Sequence, residues 1–409
     1  MNKSRLRSFE QALNQRHIVT GDRYLYAPPP VTQNLVIIGC GSMGQEHMRV
    51  AALLGRMRVH GIYDHRQHSV DCAEENFRQY SSDVPVRYPD LRSACHDPAA
   101  DVLLICTPNH THMAILDVAM ASGKPILLEK PMATDLVDAA KIVALDDGYA
   151  SFIQIGLQYR FKAHYGEAIH EALTRRSLGA VKTIALSEYR PPFLDKVEQW
   201  NKFNRYTGGT LVEKCCHYFD LINRLAESTP LKVYASGGQA VNFVDFERAG
   251  EAADIDDHAF VIIDYANGIR ANFSLNMFAH SFSEELVIAG DGGVLKAQER
   301  HDVHRQAAPE VTLDMEFGER AAARKTAINY PRAIEDSGHQ GATYHQHIAL
   351  ADRLDRVALD DGDTAAATPR EGFLAMLVAS AAQASMASGE ALLIDDLLSH
   401  YGIQPTVYD

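Results

Sequence analysis

Positive charge, tryptophan and long apolar runs are all scarce in this chain. Lysine and arginine number 39 against 53 aspartates and glutamates, a formal net charge of −14. A balance this acidic argues against nucleic acid or an anionic membrane as a partner. It leaves room for a local phosphate site built from backbone amides. No apolar run approaches the ~20 residues needed to cross a bilayer. The first 30 residues are polar, mixed in charge and end in Ala27-Pro28-Pro29-Pro30. Lacking an apolar core, they read as a packing extension rather than a secretory leader. Six cysteines contain no C-x-x-C pair, and Cys215 and Cys216 are adjacent. Neither a disulfide framework nor a zinc ribbon is expected, so metal is set aside and a reducing, cytoplasmic setting is read.

What is present is rhythm. A chain of 409 residues is expected to form two domains. Apolar runs at 35–38, 58–63, 84–87, 101–106, 126–128 and 152–155 alternate with helical stretches, including 42–54, 112–121 and 134–145. That alternation predicts an α/β domain with a doubly wound parallel sheet. After position 159 the order changes. A helix over 163–176 leads to a strand at 181–186, a helix over 210–225, and strand-like runs at 232–235, 259–265, 269–275 and 286–289. Short turns such as Asn267-Gly268 join them, as in hairpins. This half is expected to be α+β with a large, mostly antiparallel open sheet. The polar segment 300–337 reads as a long loop, and helices over 345–357 and 369–388 close the chain. The expected division is an extension over 1–33, a first domain over 34–157 and a second over 158–409.

Four constellations stand out. Gly39-Cys40-Gly41-Ser42-Met43-Gly44 follows the first strand and opens a helix. The glycines suit a tight turn, close approach of a pyrophosphate and close helix–strand packing. Asp64 ends the second strand about twenty residues later, where a carboxylate suits a ribose 2′-hydroxyl. NAD is therefore expected, with NADP as the alternative because Arg66 could hold a 2′-phosphate. Next, Thr107, Pro108 and Asn109 end the fourth strand, where they would border the dinucleotide. His110 and His112 share no helix face and make a poor metal pair. Third, Glu129-Lys130-Pro131 ends the fifth strand, and strand ends of such sheets line the ligand crevice. Lys130 can there stabilise a developing alkoxide. Fourth, a helix over 210–225 would put Glu213, His217 and Asp220 on one face. A histidine beside a carboxylate suits general acid–base work, and a core histidine is the alternative reading. Lys214 is unexplained by this pattern. His339, His345 and His347 read as solvated helix histidines.

These motifs, with Tyr159-Arg160-Phe161 and Gly208-Gly209, resemble the glucose–fructose oxidoreductase and inositol dehydrogenase (Gfo/Idh/MocA) family over about residues 34–394. The resemblance implies a Rossmann domain, a second domain with an open sheet often used for oligomerisation, and NAD(P)-dependent redox chemistry on a sugar or polyol hydroxyl. It implies that Lys130 contacts the reacting hydroxyl and the nicotinamide ribose, and that His217 is the general base. Glu213 stands where the family commonly has aspartate. Gly39, Gly41, Ser42, Met43, Gly44, Asp64, Arg66, Thr107, Pro108, Asn109, His112, Glu129 and Arg160 are the implied cofactor contacts. Tyr159, Arg190 and Trp200 join Lys130, Glu213 and His217 as implied substrate contacts. A homodimer or homotetramer is expected, because an open sheet face needs burial. Glycoside cleavage with transient NAD use, or a non-catalytic dinucleotide sensor, are the competing readings.

Overall fold

The structure is a computed structural model that describes residues 33–192, 195–302, 308–355 and 365–407. The first half contains β1 (Gln33–Ile38), α1 (Ser42–Leu54), β2 (Met57–Tyr63), α2 (Gln67–Phe77), β3 (Val86–Arg87), α3 (Leu91–Cys95), β4 (Val102–Ile105), α4 (His112–Met120), β5 (Ile126–Leu128), α5 (Leu136–Asp146) and β6 (Ile153–Ile155). The six strands form one parallel sheet in the order β3-β2-β1-β4-β5-β6. The order reverses beside β1, which places the carboxyl ends of β1 and β4 around a crevice. β4 and β5 are buried at every position, which is why they read as unbroken apolar runs.

The second half begins with α6 (Ala163–Ile169) and β7 (Val181–Tyr189), then α7 (Asn204–Thr207), α8 (Thr210–Glu213) and α9 (Cys216–Ala226). Strands β8 (Pro230–Gly238), β9 (His258–Tyr265), β10 (Arg270–Asn276), β11 (Phe282–Gly290), β12 (Val294–His301), β13 (Glu310–Glu316) and β14 (Arg324–Ala327) follow. The chain closes with α10 (Arg332–Glu335), α11 (Ala342–Asp355), α12 (Pro369–Ser388), β15 (Leu392–Leu393) and α13 (Ile394–Tyr401). The nine strands run in the order β14-β13-β12-β11-β7-β10-β9-β8-β15. Only the β7–β10 pairing is parallel. One face is covered by α9 and α12. In β9 it is Ala259, Val261 and Ile263 that are buried, while Phe260 and Ile262 face out.

Two expectations need correction. The supposed loop over 300–337 contains β13 and β14, and Val311, Leu313 and Met315 alternate into the core. The helix expected over 210–225 breaks at Lys214 and Cys215 into α8 and α9, so Glu213 and His217 lie on different helical segments. Arg160, named among the implied cofactor contacts, is buried in an ion-pair group. Its Nε donates to Asp220 Oδ2 at 2.6 Å and its Nη2 to Asp220 Oδ1 at 2.5 Å. Its Nη2 also lies 2.8 Å from Glu371, the capping-box glutamate at the start of α12. Arginine is thereby the clamp that holds Tyr159, α9 and α12 together. The far end of the chain also packs on the first half: α11 lies against α1, and Arg56 donates to Asp352 and Asp355 at 2.5 and 2.6 Å. The extension expected over 1–33 lies outside the described residues except for Gln33.

Removing the partner of a buried charge costs more than the pair contributes, about 3–5 kcal/mol. Asp220→Ala should therefore destabilise the protein by about that amount in urea denaturation. A loss below ~1 kcal/mol would mean that the buried guanidinium finds another partner.

Candidate active site

The turn after β1 fits a phosphate ligand. Gly39 has φ 100°, and a Cβ there would lie 2.7 Å from the carbonyl carbon of Cys106. A Cβ on Gly44 would lie 2.0 Å from the Gly39 carbonyl oxygen, whereas one on Gly41 would meet nothing within 4 Å. The outer glycines pack β1, α1 and β4 together, and the middle one leaves open space. Among the described residues no side chain caps the N-terminus of α1, so its first amides remain for an anion. Met43 follows Ser42 in this first turn. Asp64 accepts from the amides of Cys40 and Arg66, both at 2.9 Å. That fixes its carboxylate beside the glycine turn.

The loops after β4 and β5 are held by groups expected to face the cofactor. His112 is fully buried, with Nδ1 2.9 Å from the Pro131 carbonyl and Nε2 3.0 Å from the Thr107 carbonyl. Both partners are acceptors and burial lowers its pKa, so the neutral ring donates to one of them at a time. Asn109 donates to the Thr207 carbonyl at 3.3 Å. Glu129 is buried, accepts from the Lys130 amide at 3.3 Å and lies 3.1 Å from His47 Nε2. His47 Nδ1 in turn meets His347 Nε2 at 2.8 Å. These bonds brace the loops around the crevice. Thr107 Oγ1 accepts from Thr111 Oγ1 at 2.8 Å, and Pro108 precedes the 3-10 turn Asn109–Thr111.

Lys130 crosses the crevice. Its Nζ donates to the main-chain carbonyl of Glu213 at 2.9 Å. The break between α8 and α9 frees that carbonyl, which also lies 3.7 Å from Cys216 Sγ. A cation at the C-terminal end of a helix is well placed. His217 follows on the first turn of α9 and is 2% exposed. Its ring stacks on Tyr159 with centroids 4.0 Å apart and planes 6° from parallel. Its Nδ1 is buried with no hydrogen-bond partner among the described residues. Burial drives the imidazole pKa well below 6.5, with Lys130, Lys214, His339 and Lys162 acting in the same direction. The ring is held as the neutral base.

Lys214 now has a place. Its Nζ bonds the Tyr159 hydroxyl at 2.7 Å and pairs with buried Glu188 at 3.1 Å. Burial works against its charge, but Glu188 and Tyr159 outweigh it and its pKa is raised. Arg190 lies 3.5 Å from the same Glu188 and donates to the Pro191 carbonyl at 3.0 Å. Behind Tyr159, Lys162 sits 2.7 and 2.8 Å from Glu284 and Glu299. With His164 these carboxylates form a group of the size that holds a metal ion, and the lysine ammonium supplies the cation there. Glu213 is half-buried; burial raises its carboxyl pKa, tempered by Lys130, Lys196, Lys214 and Arg190. Trp200 meets His110 edge-on, with ring centroids 6.4 Å apart.

Two residues near the site were misjudged from sequence, His339 as a solvated helix histidine and Lys196 by being passed over. His339 is bonded to Glu46 of α1 at 2.7 Å, and its ring lies 6.3 Å from Tyr159. It sits in a loop where Gly338, His339, Gln340 and Gly341 all have positive φ. Burial opposes ionisation of Glu46, but His339 and Thr343 outweigh it and bring its pKa to about 2. The flanking glycines were the available signal. Lys196 is the second; its Nζ lies 3.3 Å from Ser42 Oγ at the start of α1. His347, read as solvated, is fully buried.

A parallel sheet with an open glycine turn at its switch point defines a dinucleotide-binding fold, and Lys130 past the end of β5 is tied to the segment that leads into His217. Residues 33–156 match the model of the oxidoreductase family, NAD-binding Rossmann fold, and residues 170–393 match its C-terminal alpha/beta domain. The chain belongs to this Gfo/Idh/MocA oxidoreductase family. It is 27% identical over 67% of its length to a 1-carboxy-3-chloro-3,4-dihydroxycyclohexa-1,5-diene dehydrogenase of Comamonas testosteroni, covering 66% of that protein. It is 23% identical to an inositol 2-dehydrogenase of Rhizobium meliloti strain 1021, over 68% of this chain and 79% of that one. The match spans just under two thirds of the length of the first of these relatives and about four fifths of the second. A levoglucosan dehydrogenase solved with NADH and levoglucosan superposes with a TM-score of 0.69 at 19% identity, over 88% of this chain and 99% of the other. Among the described residues no helix is long and apolar enough to cross a membrane.

The arrangement makes a claim about His217 that titration can check. Its folded pKa is depressed, so the ring stays neutral below pH 6.5 and gains its proton only as pH falls further. Lys214→Met removes one depressing charge and should raise the value towards 6.5, read from the imidazole proton shifts in NMR. No movement in that variant would place Lys214 outside the field of the ring.

Proposed function

We propose that this protein oxidises a secondary hydroxyl of a sugar or polyol with NAD. What supports the reading is that Lys130 Nζ reaches across the crevice to the Glu213 carbonyl, four residues before the buried ring of His217, whose proton affinity the lysine charge lowers. His217 takes the hydroxyl proton, which a neutral, buried imidazole can do near neutral pH. Lys130 donates to the oxygen as negative charge develops on it, in a water-poor site where such donation is strong. Glu213, with its pKa raised, orients a substrate hydroxyl. Asp64, Gly41 and the first turn of α1 bind the dinucleotide, which supplies the acceptor for the departing hydride. Tyr159 and Lys214 keep the imidazole in place and uncharged. Support for sugar-like substrates comes from inositol 2-dehydrogenases among the relatives. The site departs from simple polarity matching, since its cations are largely answered by Glu188, Glu284 and Glu299. Neutral substrates fit that balance.

A panel of neutral sugars and cyclic polyols with NAD, followed by absorbance of reduced nicotinamide, tests the reading. Turnover is expected for at least one member. Lys130→Ala and His217→Ala should each lower kcat by about a hundredfold or more while NAD affinity changes little. Cleavage of a glycoside without accumulating NADH would favour transient oxidation instead.

We also propose self-association through the open face of the second sheet. Phe260 and Ile262 of β9 are 62% and 51% exposed and lie beside Tyr234 of β8, 41% exposed. Such a patch on a sheet is an interaction surface. Ile262→Lys should lower the mass measured by light scattering to that of one chain. An unchanged mass would exclude this face.

A further inference from the structure

The substrate half sends a strap across the cofactor groove. Residues 195–202 follow β7 and include a 3-10 turn, Val197–Lys202, broken at Glu198 and Gln199 by φ of 56° and 55°. Left-handed backbone at two successive non-glycine residues is uncommon and gathers where function requires it. The strap is fixed at its far end. Lys202 is buried, donates to Asp195 and Gln199 at 2.6 and 2.7 Å, and lies 4.6 and 4.5 Å from the rings of Phe243 and Phe246.

Two of its side chains reach the nucleotide half. Lys196 meets Ser42 at the glycine turn. Glu198 pairs with Arg66 through one oxygen, and its other oxygen lies 3.4 Å from Arg248 in the hairpin Glu247–Arg248 and Glu251–Ala252. Arg66 is thus engaged at both ends, by Asp64 through its amide and by Glu198 through its guanidinium. Asp64 and Arg66 stand where this fold reads the adenosine ribose: a carboxylate favours a 2′-hydroxyl, and a nearby arginine accommodates a 2′-phosphate. Two arginines and two carboxylates leave this corner neutral.

We propose that Glu198 is a specificity-determining residue that makes the protein reject NADP. It occupies the guanidinium that would otherwise hold a 2′-phosphate, and it sets a carboxylate against that phosphate. Rejection built from like charge is a recognised route to selectivity. The discriminating group comes from the substrate half, so cofactor choice is completed only when the strap lies across the groove. The inference rests on the dinucleotide site alone and stands apart from the substrate reading.

The test is calorimetric titration of the full chain with NAD and with NADP, without substrate. The Arg66–Glu198 pair is exposed and adds little to stability, and NAD binding in the same samples reports that each variant is folded. Wild type should bind NAD at least about tenfold tighter than NADP. Glu198→Gln should tighten NADP about tenfold and alter NAD affinity less than about threefold. Adding Arg66→Gln to that variant should abolish the gain. Equal affinities in wild type, an unchanged NADP affinity in Glu198→Gln, joint loss of both cofactors, or a gain that survives Arg66→Gln would each overturn the proposal.

Discussion

The candidate site turns on the hydrogen bond from Lys130 Nζ in the first half of the chain to the carbonyl of Glu213 in the second. Lysine arrives at the end of β5, a strand buried at every position. The carbonyl is available because the helix over 210–226 is broken there. Had α8 and α9 formed one continuous helix, that oxygen would be spent on the amide four residues on, which belongs to His217. The same break therefore frees an acceptor for the ammonium and starts the turn that carries the imidazole.

Around that bond the protein assembles buried charge in answered groups. Arg160 with Asp220 and Glu371, Lys162 with Glu284 and Glu299, and Lys214 with Glu188 each place a cation against carboxylate. Such groups are poor sources of net stability. Their effect here is positional. Lys214 and Lys162 hold Tyr159 from two sides, and Tyr159 holds the ring of His217. Burial first, and then the charges of Lys130 and Lys214, hold the histidine in its neutral form.

Much of this was readable before any coordinates. Buried strands such as β1, β4 and β5 appear as apolar runs, and the three glycines mark a turn whose context is local. The Lys130 and His217 motifs are also local, and their resemblance to a known family supplied the link between them. What escaped the reading depended on distant residues. Arg160 looks like any cation until Asp220 and Glu371 are brought to it. The helix break at Lys214 and Cys215 has no glycine or proline to announce it, and β13 was hidden because only Val311, Leu313 and Met315 alternate within a polar stretch. Likewise, the bonds that fix His112 to the Pro131 carbonyl and Glu129 to His47 join residues distant in sequence.

The central claim is that Lys130 and His217 act on the same hydroxyl oxygen. A double-mutant cycle on kcat/KM for the best substrate, with Lys130→Ala, His217→Ala and both together, tests it most directly. Residues that work as a unit give losses that do not add, so the double variant should be little worse than the poorer single one. Losses that multiply in full would show two independent sites and contradict the account.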